Sequence, residues 1–458
     1  MGTIDRRIRS SFRDPSGFLF YRDGTILRQV NLSYKEEYEH LLNSGLYDTL
    51  VEGDLLIPHR EEDVRSECDG AYKVIRPDSV TFISYPYEWC FSQLKAAALT
   101  TLRVQKIAIE YGMSLKDCSA YNIQFSGGKP ILIDSLSFER LVQGRQFVGY
   151  RQFCQHFLAP LLLMSYRDVR LNQLLRIYID GVPLDLTSVL LPRRTRLSFS
   201  LYSHIHLHAK SEKLFAGSRL PERYRRGHRF GVISLVENLE SLIRDLTWKP
   251  SKTAWTDYYD SSSYSAYSFD HKKQLVEELL DKLRPRMVWD LGSNTGQLSR
   301  IASGMGIETI SFDSDPACVE MSYRECVREG ETHLLPLVLD LTNPSPAIGW
   351  NNEERATLAE RGPTDTILAL ALLHHLAIGN NVPFDMIASS LSSLCSSLVI
   401  EFIPKDDPQV QRLLSSREDV FSDYDQDAFE DAFGAYFSIE LCSGIRETER
   451  SIYLMRKK

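Results

Sequence analysis

The spacing of hydrophobic and polar positions divides the chain into three zones. From Gly17 to about Arg140, short apolar runs and helical stretches follow one another. GFLFYRDGTILRQV (17–30) breaks at Asp23-Gly24, a tight-turn dipeptide, and predicts a β-hairpin. SYKEEYEHLLNSG (33–45) predicts a helix ending at Gly45, and TFISYPYEW (81–89) a strand running into a turn. Between about Leu141 and Pro250 the spacing is mainly helical. FCQHFLAPLLLMSY (153–166) and ISLVENLESLIRDL (233–246) carry it, and in the second Leu235, Leu239 and Leu242 fall on one face. TDYYDSSSYSAYSFDHKK (256–273) reads as a serine- and tyrosine-rich joint, with Asp270 or Ser268 as cap of the helix HKKQLVEELLDKL.

After Arg286, strand and helix alternate. MVWDLG, TISFD and LPLVLD read as strands, TGQLSRIASGM and PACVEMSYREC as helices, and TDTILALALLHHL and SSLVIEF as further buried strands. Such alternation predicts a mostly parallel α/β sheet with helices on both faces, and ligands beyond the carboxyl ends of its strands. The expected domains are an α+β region at 1–140, a helical subdomain or connector at 141–254, and an α/β domain at 255–458.

Length fits two or three domains: 458 residues exceed what one core usually supports. A hydrophobic fraction of 43% and a charged fraction of 25% are globular values. The formal charge of −8 argues against nucleic acid as a partner. Eight cysteines without a CxxC pair suggest scattered reduced thiols and a cytoplasmic protein. The longest apolar stretch, Leu158 to Met164, is far shorter than the roughly 20 residues of a membrane span, so a buried helix is expected there. The opening MGTIDRRIRSSF carries no targeting signal.

The candidate chemistry lies at the strand ends of the last zone. Asp290, Gly292, Ser293, Asn294 and Gly296 form a loop between the first strand and its helix, where glycines let the backbone approach a ligand. Asp313 ends the second strand, where nucleotide-binding βαβ units place an acid for ribose hydroxyls, and Asp315 is available as the next helix cap. Asp340 ends the third strand, within reach of an adenine amino group. The GxGxxG spacing of nicotinamide sites is absent. His374 and His375 follow the fourth strand, and either fits a general base or a packing role. Glu401 ends the fifth, either orienting an acceptor or a histidine or pairing with Lys405.

These residues resemble the class I methyltransferase family: DLGSNTG resembles its first motif, FDSDP its ribose acid, LDLTNP its adenine contact and LALLHHL its fourth-strand motif. The resemblance covers about Trp255 to Lys458, because FSIELCSGIRETERSIYLMRKK resembles the antiparallel sixth and seventh strands that finish that fold. It implies a Rossmann-like seven-stranded sheet and S-adenosylmethionine as cofactor. Gly292 and Gly296 would lie under its methionine portion, Asp290 at its amino group, Asp313 at the ribose, and Asp340 with Leu341 beside the adenine. ALALLHHLAIGNNVP and VIEFIPKDDPQVQRLL resemble a bacterial group that includes nodulation proteins of the NoeA type. The Asn/Asp-Pro-Pro-aromatic motif of nucleobase amino methylation is absent, so an oxygen or nitrogen of a small molecule or glycan is the expected acceptor.

In LKDCSAYNIQFSGGKPILIDSLSFE, Asp117, Asn122 and Asp134 resemble the catalytic loop and metal-binding strand of kinase-like phosphotransferases. That resemblance implies ATP-magnesium as a second cofactor, and joined kinase-methyltransferases that cap polysaccharides make a glycan acceptor an analogy. Leu115 replaces the usual histidine, Ser135-Leu136 replaces Phe-Gly, a glycine-rich phosphate loop is absent, and Arg28 stands where a lysine is expected, with Lys73 as the alternative. These departures point to weakened or lost phosphotransfer, and turn chemistry is the alternative role of Asp117 and Asn122. The arginines of RLPERYRRGHR (219–229) read as a solvated connector, and His204 with His208 as surface histidines; a metal site is not expected.

Overall fold

The computed structural model describes residues 6–64, 69–142, 147–207, 229–250, 265–415 and 418–458. Its contacts divide the chain into two compact units, Met1–Lys249 with Ala347–Arg355, and Pro250–Pro346 with Ala356–Lys458.

In the first unit, β1 (Arg6–Arg7), β2 (Gly17–Arg22), β3 (Thr25–Asn31), β4 (His59–Glu62) and β5 (Ala71–Pro77) form an antiparallel sheet in the order β1-β2-β3-β5-β4. β2 and β3 are the expected hairpin, and its turn residues Asp23 and Gly24 take φ of 50° and 77°, the left-handed values a two-residue turn demands. α1 (Lys35–Asn43) and α2 (Leu46–Glu52) bury Tyr38, Leu41, Leu46 and Leu50 at helical spacing. α3 (Phe91–Glu110) follows, then β6 (Met113–Leu115) paired with β9 (Phe138–Arg140), and β7 (Ile123–Ser126) paired with β8 (Lys129–Leu132).

The strand expected at 81–89 is instead irregular chain with one tight turn at Pro86–Glu88. Its backbone finds a side-chain partner: Gln124 accepts from the Ser84 N–H at 2.8 Å and donates to the Ser84 carbonyl at 2.9 Å. A π-helical turn at Cys154–Leu158 leads into α4 (Ala159–Tyr166), and Leu161 to Met164 are core, as expected. α5 (Leu184–Leu190) and α6 (Arg229–Asp245) complete the helical part. The inward face of α6 carries Val232, Val236, Leu239 and Ile243, and Leu235 and Leu242 lie half-buried beside it. His204 is a correction, for it is buried and hydrogen-bonded to Tyr150 at 2.7 Å and Asn238 at 2.8 Å. His208, most of the arginine-rich connector and the first half of the serine-tyrosine joint lie outside the described residues.

The second unit opens with α7 (Ala266–Leu283). Its cap is Ser265, which accepts from the Ser268 N–H, so neither Asp270 nor Ser268 serves as expected. β10 (Met287–Leu291), β11 (Glu308–Asp313), β12 (Leu334–Val338), β13 (Thr364–Ala369), β14 (Cys395–Phe402), β15 (Phe437–Gly444) and β16 (Ser451–Lys457) form one sheet in the order β12-β11-β10-β13-β14-β16-β15. The first five are parallel, and β16 runs antiparallel to both of its neighbours. This mixed α/β sheet has the reversed strand that the methyltransferase resemblance implies. α8 (Ser299–Gly304) and α9 (Pro316–Glu329) connect the first three strands, and Asp315 caps α9. The strand order reverses direction between β10 and β13, the place where open α/β sheets bind ligands beyond the carboxyl ends of their strands.

Candidate functional site

The turn after β10 is held from behind by β11. The Phe312 carbonyl accepts from the N–H groups of Gly292 at 2.9 Å and Ser293 at 3.0 Å, and the Ser293 carbonyl accepts from Gly296 N–H at 2.9 Å. Gly292 and Gly296 take φ of 75° and 81°, where a side chain is strained. A Cβ on Gly292 would come within 3.0 Å of Leu372, and one on Gly296 within 2.7 Å of the Ser322 hydroxyl. Asn294 also takes a positive φ, 53°, which asparagine tolerates better than most residues. Its N–H donates to Asp313 at 2.7 Å. Arg300 was not anticipated from sequence. It donates to the Thr295 carbonyl at 2.8 Å and pairs with Glu331 at 2.8 Å, which secures the far side of the turn.

Six expected residues, Asp290, Gly292, Ser293, Asn294, Gly296 and Asp313, therefore meet at the ends of β10 and β11. Burial raises Asp290 and Asp313 each to about 6, against donors that favour the charged forms: Ser299 at 2.5 Å for Asp290, and the backbone N–H groups of Asn294 and Asp315 for Asp313. The Leu339 N–H donates to the Asp313 carbonyl at 2.8 Å and brings the end of β12 alongside. Asp340, just beyond, is exposed and accepts from the Thr342 N–H and hydroxyl at 2.8 and 2.7 Å, and Leu341 is half-buried beside it. Carboxylates backed by neutral donors, over glycines that leave no room for a Cβ, suit a hydroxyl- and ammonium-bearing ligand such as S-adenosylmethionine.

His374 is fully buried, and neither ring nitrogen meets a hydrogen-bond partner among the described residues. Burial, the neighbouring His375, Arg450 and Lys272 push it well below the usual histidine range, so it is neutral. His375, half-buried and 4.0 Å from the His374 ring, is pushed down to about 4 by burial.

Glu401 is fully enclosed and lies under the turn after β13. It accepts from Lys272 at 2.6 Å and from the Ala371 N–H at 2.8 Å, with Arg450 at 3.7 Å. Its ion-pair partner is thus Lys272 and not Lys405, which binds Asp419 at 2.9 Å. Arg450 in turn grips Asp407 through two nitrogens at 2.8 and 3.0 Å. Lys272 and Arg450 escaped the sequence reading. The available signal was Lys272 itself, a lysine in the apolar stripe with Val276, Leu279 and Leu280.

In the first unit, Asp117, Asn122 and Asp134 do come together. Asp117 accepts from Asn122 and lies close enough to Asp134 to feel its charge; burial above all raises its pKa. Asp134 is paired with Arg28 at 2.7 Å, and Arg28 also reaches Asp14 at 3.4 Å. Lys116 lies 3.6 Å from the other oxygen of Asp14. Lys73 pairs instead with Glu61 at 2.6 Å. Among the described residues no group of three metal-ligating side chains gathers anywhere.

No family model matches the chain. Nodulation protein NoeA of Rhizobium meliloti (strain 1021) is 34% identical over 459 residues, covering 98% of this chain and 96% of that protein. Among solved structures, magnesium protoporphyrin IX methyltransferase from Synechocystis PCC 6803 with bound S-adenosylmethionine is 17% identical over 44% of this chain and 95% of its own, with a TM-score of 0.31. The bifunctional kinase-methyltransferase WbdD is 15% identical over 44% of this chain and 42% of its own, with a TM-score of 0.30. A putative O-methyltransferase from Nostoc punctiforme PCC 73102 is 14% identical over 44% of this chain and 60% of its own, with a TM-score of 0.33.

Proposed function

This chain belongs to the family of nodulation protein NoeA, and we propose that it is an S-adenosylmethionine-dependent methyltransferase whose acceptor is an oxygen or nitrogen of a small molecule or glycan. The observation that carries this reading is the glycine turn with Asp290 and Asp313 at the ends of adjacent parallel strands. The cofactor, when bound, supplies a methyl group already activated on a sulfonium.

In this reading Asp313 holds the ribose hydroxyls, Asp290 the amino group of the methionine portion, and Asp340 with Leu341 borders the adenine. Gly292 and Gly296 let the turn keep its left-handed path against Leu372 and Ser322, where a Cβ would collide, so that its backbone faces the ligand. His375 is the residue we assign to the acceptor proton, since His374 is enclosed on all sides. A base held near 4 is weak at neutral pH, so orientation supplies more of the rate than proton removal; well-placed reactants gain roughly 7–11 kcal/mol in model systems. Glu401 acts through Ala371 and is a positioning residue.

A bifunctional reading, with phosphotransfer to a saccharide by the first unit, would draw on the meeting of Asp117, Asn122 and Asp134. The residues do not fit ATP-magnesium: Arg28 already neutralises the carboxylate that would bind the metal. We therefore derive no phosphotransfer step. A third reading, a cofactor-sensing binding protein, predicts cofactor binding without turnover.

Calorimetry with S-adenosylmethionine and its demethylated product tests the first step, and no heat from either would sink the enzyme reading. Methyl-labelled cofactor added to a cell extract with wild type or Asp313→Ala would then identify the acceptor. Label incorporated equally by both proteins would refute the assigned site.

A further inference from the structure

Leu197 and Phe199 leave 89% and 85% of their surface in water, more than any other large apolar residue among those described. They are not on a loose loop. The turn Arg193–Leu197 and the short helix Phe199–Leu201 are pinned from within by His206, whose two ring nitrogens meet the Ser188 hydroxyl at 2.8 Å and the Thr195 hydroxyl at 3.0 Å. Leu191, Thr195 and Leu201 are buried, so the backbone is anchored before, within and after the turn. Two large apolar side chains are therefore presented in water by a fixed framework, which calls for an occupant.

Charge identifies the occupant's chemistry. Arg193, Arg194 and Arg196 are exposed, and none pairs with a carboxylate among the described residues; Arg194 only lies 5.7 Å over the Tyr166 ring. From Leu186 to Leu207 the sequence contains no Asp or Glu, in a chain whose net charge is −8. A nucleic-acid duplex would engage the arginines through its phosphates and leave Leu197 and Phe199 in water, and a single strand could stack a base on Phe199 but offers Leu197 nothing. A lipid surface takes both at once, phosphates against guanidinium groups and acyl chains against the apolar side chains. We infer that this turn docks the protein on an anionic lipid surface, as a peripheral contact. Among the described residues no helix is long and apolar enough to cross a membrane.

The test is sedimentation of the full chain with vesicles of equimolar phosphatidylglycerol and phosphatidylcholine, beside vesicles of phosphatidylcholine alone. We expect binding to the first and little to the second, weakening as ionic strength rises from about 0.1 M to 1 M and the Debye length falls from about 10 Å to about 3 Å. The triple change Arg193→Gln, Arg194→Gln, Arg196→Gln should lower binding on the order of 100-fold. Leu197→Ser with Phe199→Ser should lower it about tenfold or more. All these side chains are exposed, and an unchanged melting temperature would show that the variants fold. Absent binding, equal binding to both vesicles, variants that bind like wild type, or capture of a single-stranded oligonucleotide in place of vesicles would each overturn the inference.

Discussion

Each unit gathers acidic side chains in a partly buried place, yet the two gatherings are neutralised differently. In the second unit Asp290 and Asp313 accept directly from a hydroxyl and from backbone N–H groups, with Asp290 also feeling the charge of Lys272 without a hydrogen bond to it, and both acids sit near 6. In the first unit Asp134 and Asp14 are met by Arg28, with Lys116 behind. Acids left to neutral donors retain attraction for an incoming ammonium or hydroxyl. Those already paired with guanidinium offer a divalent cation little. Similar residue types thus meet neutral donors in one unit and guanidinium in the other.

The largest effect should come from beneath the site of the second unit. Glu401→Gln leaves Lys272 buried beside an amide, and losing one partner of a buried pair costs about 3–5 kcal/mol. A melting temperature within a degree or two of wild type would show that Glu401 does not hold the turn after β13. Next, Asp313→Ala removes two charge-assisted acceptors and should weaken S-adenosylmethionine by about 100-fold or more in calorimetry, on about 1.5–3 kcal/mol for each such bond. The same titration on Asp134→Ala should match wild type, and ATP-magnesium should give no heat with wild type. Heat that depends on Asp134 would erase the contrast between the two units.

A smaller effect concerns pH. Asp290 and Asp313 have folded pKa values near 6, above the ordinary 3.8, so between those values the folded chain without ligand holds more protons than the unfolded chain. Stability from these two groups is full below about pH 4 and lost as pH rises through 6. Ligand binding runs the other way, because it needs them charged. Affinity for S-adenosylmethionine should fall as pH drops below about 6, by up to about tenfold per carboxyl per unit. A flat profile between pH 5 and 7 would remove both acids from the contact.

Much of the second unit was legible in the linear pattern, because a parallel sheet buries continuous apolar runs and places its polar chemistry at strand ends. Asp290, Asp313 and the two glycines are readable for that reason. The strand at 81–89 misled because Gln124, 40 residues away from Ser84, supplies its backbone hydrogen bonds. Leu235 and Leu242 misled because several apolar stripes fit α6, and only neighbours choose among them.

The sequence by itself determined the βαβ rhythm, the hairpin at Asp23-Gly24, the glycine turn and the order of strand-end acids, since each depends on local backbone preference or short-range spacing. Tertiary structure alone decided which cation each acid meets. Lys272 reaches Glu401 across 129 residues, and Arg28 reaches from β3 to Asp134 in the irregular chain after β8. Ion pairs form between groups that packing brings within a few ångströms, and periodicity along the chain carries no record of that distance.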